Sequence, residues 1–350
     1  MDKGLKTVAV SGIAGFLASH ITKRLLEEGY RVRGSVRSLR KEASYAHLLR
    51  LEGAKERLEL VEADLLAPEG FPKLVEGAHY VLHTASPYTL NVKDPERDLV
   101  KPAVDGTRNV LEACARASSV ERVVVTSSMA AITDEPESSR VLTEDDWNES
   151  SSLGRNPYYY SKTLAERAAW DFVGSRRLSW DLVVVNPFLV IGPSLSPGIN
   201  TSNQMFVDLL AGQYPGIMNL TWGFVDVRDA AEAHVRAMTT TEAKGRYICA
   251  GETISMRDVV ALMTEDAQKN TRKSSLPKLG LDCAAGDFAV KLASYGQPGG
   301  VGQYLRSHVG RVPRYDTSKI RRDLGMTFRP ARESILDSIA DLARAGHLPA

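Results

Sequence analysis

Short apolar runs alternate with stretches of helical periodicity over the first two thirds of the chain. Thr7 to Val10 is an apolar run that stops at a turn carrying Gly12, Gly15 and Ala18, after which Leu17, Ile21 and Leu25 recur every four residues. This predicts strand, glycine turn, helix. Tyr30 to Val36 alternates and predicts a second strand, Leu58 to Val61 a third, and Tyr80 to Thr84 a fourth. Val104 to Ala117 predicts a helix that buries Val110, Leu111, Cys114 and Ala117. Arg122 to Ser128 is an apolar fifth strand running into Ser127 and Ser128, and Leu182 to Asn186 is a sixth. Such alternation, with right-handed crossovers, predicts an α/β fold with a doubly wound parallel sheet of Rossmann type.

After Pro187 the pattern turns irregular, with "GPSLSPG" at Gly192 to Gly198 and a helix expected from Asn203 to Leu210. "FVDVRD" reads as a short strand and turn before a helix holding Ala233, Val235 and Ala237, and this stretch is expected to return to the sheet domain. Asp226, Arg228 and Asp229 within it are expected to tie two lobes together. Ala331 to Ala345 predicts a closing helix with Ile335, Ile339 and Leu342 at core spacing. The resulting division is 1–190 plus 223–250 for the Rossmann-type sheet domain. Residues 191–222 plus 251–350 form a smaller α/β substrate lobe with a mobile, glycine-rich cover.

Composition narrows the function more than the fold. The 350 residues suit one large or two closely joined domains, and a net charge of +1 points to neither nucleic acid nor a membrane surface as partner. Cys114, Cys249 and Cys283 are far apart and outside any metal-binding spacing, so they are expected as small buried residues in a reducing compartment, with no metal site. The first strand is expected to start too early to leave room for a signal peptide, and no apolar run approaches the ~20 residues of a membrane span. A cytoplasmic monomer or homodimer is the expectation.

The glycine turn carries the first piece of chemistry. A turn of this kind at a helix N-terminus brings backbone N–H groups and the positive end of the helix to a pyrophosphate. Gly12 is expected to supply the tight turn, Gly15 the close approach and Ala18 the close helix–strand packing, with Leu17 a further expected cofactor contact. A carboxylate about 20 residues on would hold the ribose of NAD; Ser35 to Lys41 instead offers Arg37, Arg40 and Lys41, which favours NADPH. Asp64, after the third strand, is read either as an acceptor for the adenine amino group or as an ordinary turn or cap residue. Strand carboxyl ends, at Thr84, Ala85 and Ser86 and at Thr126, should flank the cofactor. His83 at a strand end is read as structural.

The second piece is Tyr158 and Lys162, four apart and therefore on one face of a helix. A tyrosine needs a nearby cation to work as an acid–base group near neutral pH, and Lys162 supplies it. The Ser128 hydroxyl would complete the set by hydrogen-bonding a substrate carbonyl. Ser127 is its competitor, expected to face the other way because side chains alternate in an extended run.

Together these stretches resemble the extended short-chain dehydrogenase/reductases, and among them the dihydroflavonol reductase-like branch with its cinnamoyl-CoA reductases and microbial NADPH-dependent aldehyde and ketone reductases. "VSGIAGFLASH", "VRGSVRS", "ADLL", "VLHTASP", "VDGTRNVLEAC", "VVVTSSMAA", "YYYSKTLAERAAW", "VVVNPFLVIGP" and "FVDVRDAAEAHVRAM" carry the likeness in order through most of residues 7 to 238. The resemblance implies Ser128, Tyr158 and Lys162 as the catalytic set and Gly12, Gly15 and Phe16 at the pyrophosphate. It also implies Arg37 at the 2′-phosphate, Asp64-Leu65 at the adenine, and Pro187 beside the nicotinamide, with Val190 expected nearby. Ala18 stands where many members of the superfamily have glycine.

Substrate contacts are expected from Pro87, Tyr88, Met129 and Phe188, together with Ser86 and parts of 193 to 222. These are mostly apolar or aromatic, which suits an aryl or alkyl carbonyl. The expected function is an NADPH-dependent carbonyl reductase. A nucleotide-sugar epimerase or dehydratase is the alternative on the same scaffold; it would need cationic clamps such as Arg272, Lys273, Arg306, Arg311 and Arg314. A CoA thioester would need a similar basic mouth, and a noncatalytic NADP-sensing regulator would need only the glycine turn.

Overall fold

A computed structural model describes residues 5–86 and 93–348. Seven strands form one parallel sheet: β1 (Thr7–Ser11), β2 (Arg31–Val36), β3 (Leu58–Glu62), β4 (Tyr80–His83), β5 (Arg122–Thr126), β6 (Asp181–Pro187) and, at the far edge, the strand Gly245–Cys249. Their spatial order runs β3-β2-β1-β4-β5-β6 and then Gly245–Cys249. The order reverses between β1 and β4, the point where open α/β sheets take their ligands.

Both faces of this sheet are covered, which explains the near-continuous apolar runs. On one face Val8, Val10, Leu82, Val124 and Val183 pack with Ile21 and Leu25 of helix α1 (Phe16–Glu27). On the other, Ala9, Val81, Val123, Val125 and Val184 pack with Val110, Leu111 and Cys114 of α2 (Lys101–Arg116) and with Ala169 and Phe172 of α3 (Pro157–Gly174). Alternate residues of each strand thus feed opposite cores.

A second, three-stranded sheet holds the smaller lobe. It is formed by β7 (Leu189–Ile191), β8 (Thr221–Asp226) and the strand Thr253–Ser255, with β8 parallel to β7 and antiparallel to the third. Its core joins Ile191 and Phe224 to Phe206 and Leu209 of α4 (Thr201–Leu210), and to Ile335, Ile339 and Leu342 of the closing helix Ala331–Arg344. The expectation for "FVDVRD" is corrected here: the strand joins this second sheet. The following helix, α5 (Val227–Thr239), is the part that returns to the main sheet, where Ala230, Ala233 and Ala237 share the core of α1.

Asp226 accepts from the Arg228 N–H at 2.8 Å and pairs with the Arg228 guanidinium, which reaches Asp337 on the closing helix at 2.7 Å. Asp229 accepts from the Arg329 N–H at 2.6 Å. These acids therefore brace the crossover helix against the C-terminal segment. Cys114 and Cys249 are buried, and burial pushes both thiols up. Cys283 is exposed, against expectation, because it stands just before the helix Ala284–Ala293 on the lobe surface. Among the described residues no helix is long and apolar enough to cross a membrane, and no cluster of three or more His, Cys, Asp or Glu could hold a metal.

Candidate active site

The glycine turn has the shape its residues demand. Gly12 has φ +64°, and a Cβ there would stand 2.9 Å from the Ala85 Cβ, so both the backbone angle and the close approach of the β4 end exclude a side chain. Gly15 is exposed, is followed directly by the first turn of α1, and provides no side-chain cap, while that turn contains no acid. A Cβ on Gly15 would meet only the Gly12 oxygen at 3.3 Å and Ala18 at 3.9 Å, so the glycine leaves the mouth of the helix open. The N–H groups of Phe16 and Leu17 in such a first turn have no intrahelical acceptor, which suits an anion. Ala18 is buried against the turn.

Two residues that sequence reasoning missed hold this corner. Gly34 in β2 lies against Ile13, where a Cβ would come within 2.1 Å of its Cδ1. Ser11, at the end of β1, accepts the N–H groups of Thr84 and Ala85, each at 3.1 Å, and its hydroxyl lies 2.8 Å from His83 Nδ1. With two N–H groups on the oxygen, the hydroxyl proton goes to His83. His83 is lowered to about 4, by burial first and then by the Lys162 charge, so it is neutral at pH 7 and structural. The Thr84 hydroxyl donates to the Ser11 carbonyl at 2.5 Å, and Ser86 is half-buried.

Arg37 follows β2, is exposed, and makes no hydrogen bond or ion pair among the described residues. The loop after it is held by the Leu39 N–H on Glu62 at 2.7 Å and by the Tyr45 hydroxyl on the Leu39 carbonyl at 2.7 Å. Arg40 and Lys41 are also exposed. Asp64 accepts the Leu66 N–H at 2.9 Å, making a local turn, while the Leu65 carbonyl accepts from Asn109 at 2.8 Å and its side chain presses on Gly106. The Thr126 hydroxyl is 2.8 Å from His234 Nε2, on the α5 side of the sheet, so its side chain is committed there.

At the other end of the site the strand β5 runs out into the two serines, which diverge. Ser127 donates to Glu166 at 2.5 Å and is buried. Ser128, extended at φ −163° and ψ 157°, accepts the Ala130 N–H at 3.1 Å, and its O–H proton is left to donate elsewhere. Tyr158 is the second residue of α3, half-buried, with its ring edge-on to Tyr159 at 5.9 Å. Lys162, one turn later, is buried, and its Nζ lies 5.9 Å from the Tyr158 ring centroid. Burial lowers Lys162 to about 8, opposed by Glu166. It therefore stays largely protonated at pH 7 beside the phenol.

Glu166 is the residue that locks helix to sheet, and no local signal marks it. Fully buried, it receives Ser127, Asn186 at 2.8 Å, Trp170 at 3.2 Å and Arg246 at 2.6 Å. Asn186 also donates to the Ser128 carbonyl at 3.2 Å. Residues 158, 162 and 166 share one face of α3, so this network joins that face to the end of β5.

On the substrate side, Pro187 closes β6 and Phe188 packs on Tyr315 with ring centroids 5.6 Å apart. Val190, in β7, is half-buried against the main-sheet core. Met129 is buried in a cluster with Ile132, Leu142, Ile248 and Ala250, and Phe188 packs against that cluster. Pro87 and Tyr88 lie outside the described residues.

Residues 8–250 match the model of the NAD dependent epimerase/dehydratase family. The chain belongs to this family. Cinnamoyl-CoA reductase 2 of Medicago truncatula is 38% identical over 99% of this chain and 94% of its own length. Tetraketide alpha-pyrone reductase 1 of Arabidopsis thaliana is 37% identical over 99% of this chain and 98% of its own. Among solved structures, the yeast methylglyoxal/isovaleraldehyde reductase Gre2 complexed with NADPH superimposes with a TM-score of 0.80 at 31% identity, covering 98% of this chain and 100% of that one. This chain is accordingly an NAD(P)-dependent oxidoreductase of the extended short-chain dehydrogenase/reductase kind, with the Rossmann fold its sequence indicated.

Proposed function

We propose that the protein is an NADPH-dependent carbonyl reductase that converts a hydrophobic aryl or alkyl ketone or aldehyde, reversibly, to its alcohol. The observation that carries this reading is the buried Lys162 ammonium beside the Tyr158 ring, on the helix face tied through Glu166 and Asn186 to Ser128. The open mouth at Gly15, the anion-ready first turn of α1 and an exposed Arg37 in a stretch, Ser35 to Lys41, that contains no acid fit a dinucleotide phosphate. Gly12, Gly15, Phe16 and Leu17 would hold the pyrophosphate and Arg37 the 2′-phosphate.

Bound NADPH supplies the hydride. Tyr158 donates the phenolic proton to the carbonyl oxygen as that oxygen gains negative charge. Lys162 favours the phenolate left behind, and Ser128, whose oxygen already accepts Ala130, donates its O–H to the same substrate oxygen. The proton returns to Tyr158 from solvent, and the alcohol leaves.

Of the five cations that a nucleotide-sugar substrate would call on, Lys273 and Arg314 are exposed and make no ion pair among the described residues, and three are engaged within the protein. Arg272 is paired with Asp266 at 2.6 Å and Arg311 with Glu135 at 2.5 Å, while Arg306 stacks on Tyr295 at 4.5 Å. Each is spent on the protein itself. The test is NADPH oxidation with a panel of aryl and alkyl carbonyls. Tyr158→Phe is expected to abolish turnover with NADPH affinity kept; a variant retaining most of the wild-type rate removes Tyr158 from the reaction. NADPH binding without turnover across the panel would instead indicate a sensing protein.

A further inference from the structure

Asn156, immediately before α3, has φ 48° and ψ 59°. It and Thr271 are the two non-glycine residues with positive φ among those described. Left-handed backbone of this kind is tolerated by asparagine better than by most side chains, yet it carries a cost that the surroundings must impose. Here they do. Asn156 caps α3 without the usual return of its side chain to the helix N–H groups. Instead its Nδ2 donates to Asp134 at 3.0 Å and to Ser307 at 3.3 Å. Its backbone N–H donates to the Gln303 side chain at 2.7 Å, and Gln303 donates back to the Gly154 carbonyl at 2.5 Å.

Asp134 is fully buried and also receives Ser150 and Arg155. Gln303 and Ser307 belong to the helix Gly299–His308 of the smaller lobe, whose His308 meets the Tyr159 ring at 5.8 Å. The backbone angle at Asn156 sets the direction in which α3 begins, and Tyr158 is the second residue of that helix. We infer that Asn156, held between Asp134 and Gln303, is a positioning residue for the Tyr158 phenol, so that the smaller lobe takes part in aiming the proton donor. This rests on the proton-donor reading of Tyr158. A displacement of about 1 Å at a reacting group can cost about 10²-fold in rate, so a small change of entry angle is enough.

The experiment compares Asn156→Ala, Asn156→Gly and Gln303→Ala in the full chain, using one well-reduced aryl ketone with NADPH and its alcohol with NADP+. Asn156→Ala, which loses both the amide and the ease of positive φ, is expected to lower kcat by about 10–100-fold with the NADPH Kd within about twofold. Asn156→Gly, free to adopt that φ, is expected to recover part of this loss, and Gln303→Ala to lower kcat several-fold. In alcohol oxidation the limb that requires phenolate is expected to move to higher pH in Asn156→Ala, because the phenol has left the Lys162 charge.

The inference is overturned if Asn156→Ala or Gln303→Ala keeps kcat within about twofold with an unmoved limb. It is equally overturned if kcat and NADPH affinity fall together while the limb stays in place, since that marks a structural role alone. Tyr158→Phe run alongside separates the two claims. Activity in Tyr158→Phe defeats the proton-donor reading; an inactive Tyr158→Phe with an unperturbed Asn156→Ala defeats only the positioning role.

Discussion

Replacing Arg246 by methionine strands the Glu166 carboxylate. The pair is closed at 2.6 Å, with the Glu166 side chain 0% exposed and that of Arg246 7% exposed, so neither charge can turn to water without moving the helix. Removing one partner of such a buried pair costs about 3–5 kcal/mol, because the remaining carboxylate has lost its hydrogen-bonded counter-ion but not its burial, and only the Lys162 charge one turn away still faces it. At about 2.1 cal/mol/K per residue, a chain of 350 residues unfolds with an entropy of about 0.7 kcal/mol/K. Arg246→Met is then expected to lower Tm by about 4–7 °C, read by thermal unfolding at pH 7.

The companion is Glu166→Gln/Arg246→Met, which loses the same Arg246 contacts to the Glu144 carbonyl and the Trp147 ring but leaves no unpaired carboxylate. It is expected to be more stable than Arg246→Met alone. A single variant that melts within about 1 °C of wild type, or a double variant that melts below the single one, refutes the assignment of this energy to an uncompensated carboxylate.

Two further outcomes test other parts of the molecule. Arg37→Ala is expected to weaken NADPH by about 10–100-fold and NADH by about twofold or less, measured by cofactor fluorescence titration, and equal losses would remove Arg37 from the 2′-phosphate. His20, His83, His234 and His308 are each lowered to about 4, burial being the largest cause in every case. Below about pH 6.5 the unfolded chain takes up protons that the native one refuses. Stability should therefore be whole above pH 6.5 and fall towards pH 4, by up to about 1.4 kcal/mol per pH unit for each histidine. A Tm that stays level from pH 7 to pH 5 contradicts it.

Much of the site could be read from local pattern, because local geometry produced it. The strand–glycine–helix unit needs only contiguous residues, the Tyr158/Lys162 pair only the pitch of a helix, and the divergence of Ser127 from Ser128 only the alternation of an extended chain. Other features depended on which segments meet. The strand at Thr221–Asp226 has the apolar character either sheet would accept, and pairing with Leu189–Ile191 put it in the smaller one. Met129, expected beside Ser128 as a substrate contact, is buried with Leu142 and with Ile248 of the edge strand, neighbours more than ten positions away. Cys283 looked like a small core residue and stands on the surface.

The residues that hold the Tyr158/Lys162 face are those the sequence by itself left invisible. Glu166 meets Arg246 across 80 positions, Asn156 meets Ser307 across 151, and Ser11 meets His83 across 72. A buried charge or a left-handed backbone is recognisable only by its partners, and those partners are brought together by packing. The sequence determined the sheet strands, the glycine turn and the spacing of Tyr158 and Lys162, since each follows from backbone geometry over a few residues. Only the tertiary structure decided what locks them in place, because that depends on contacts between distant segments.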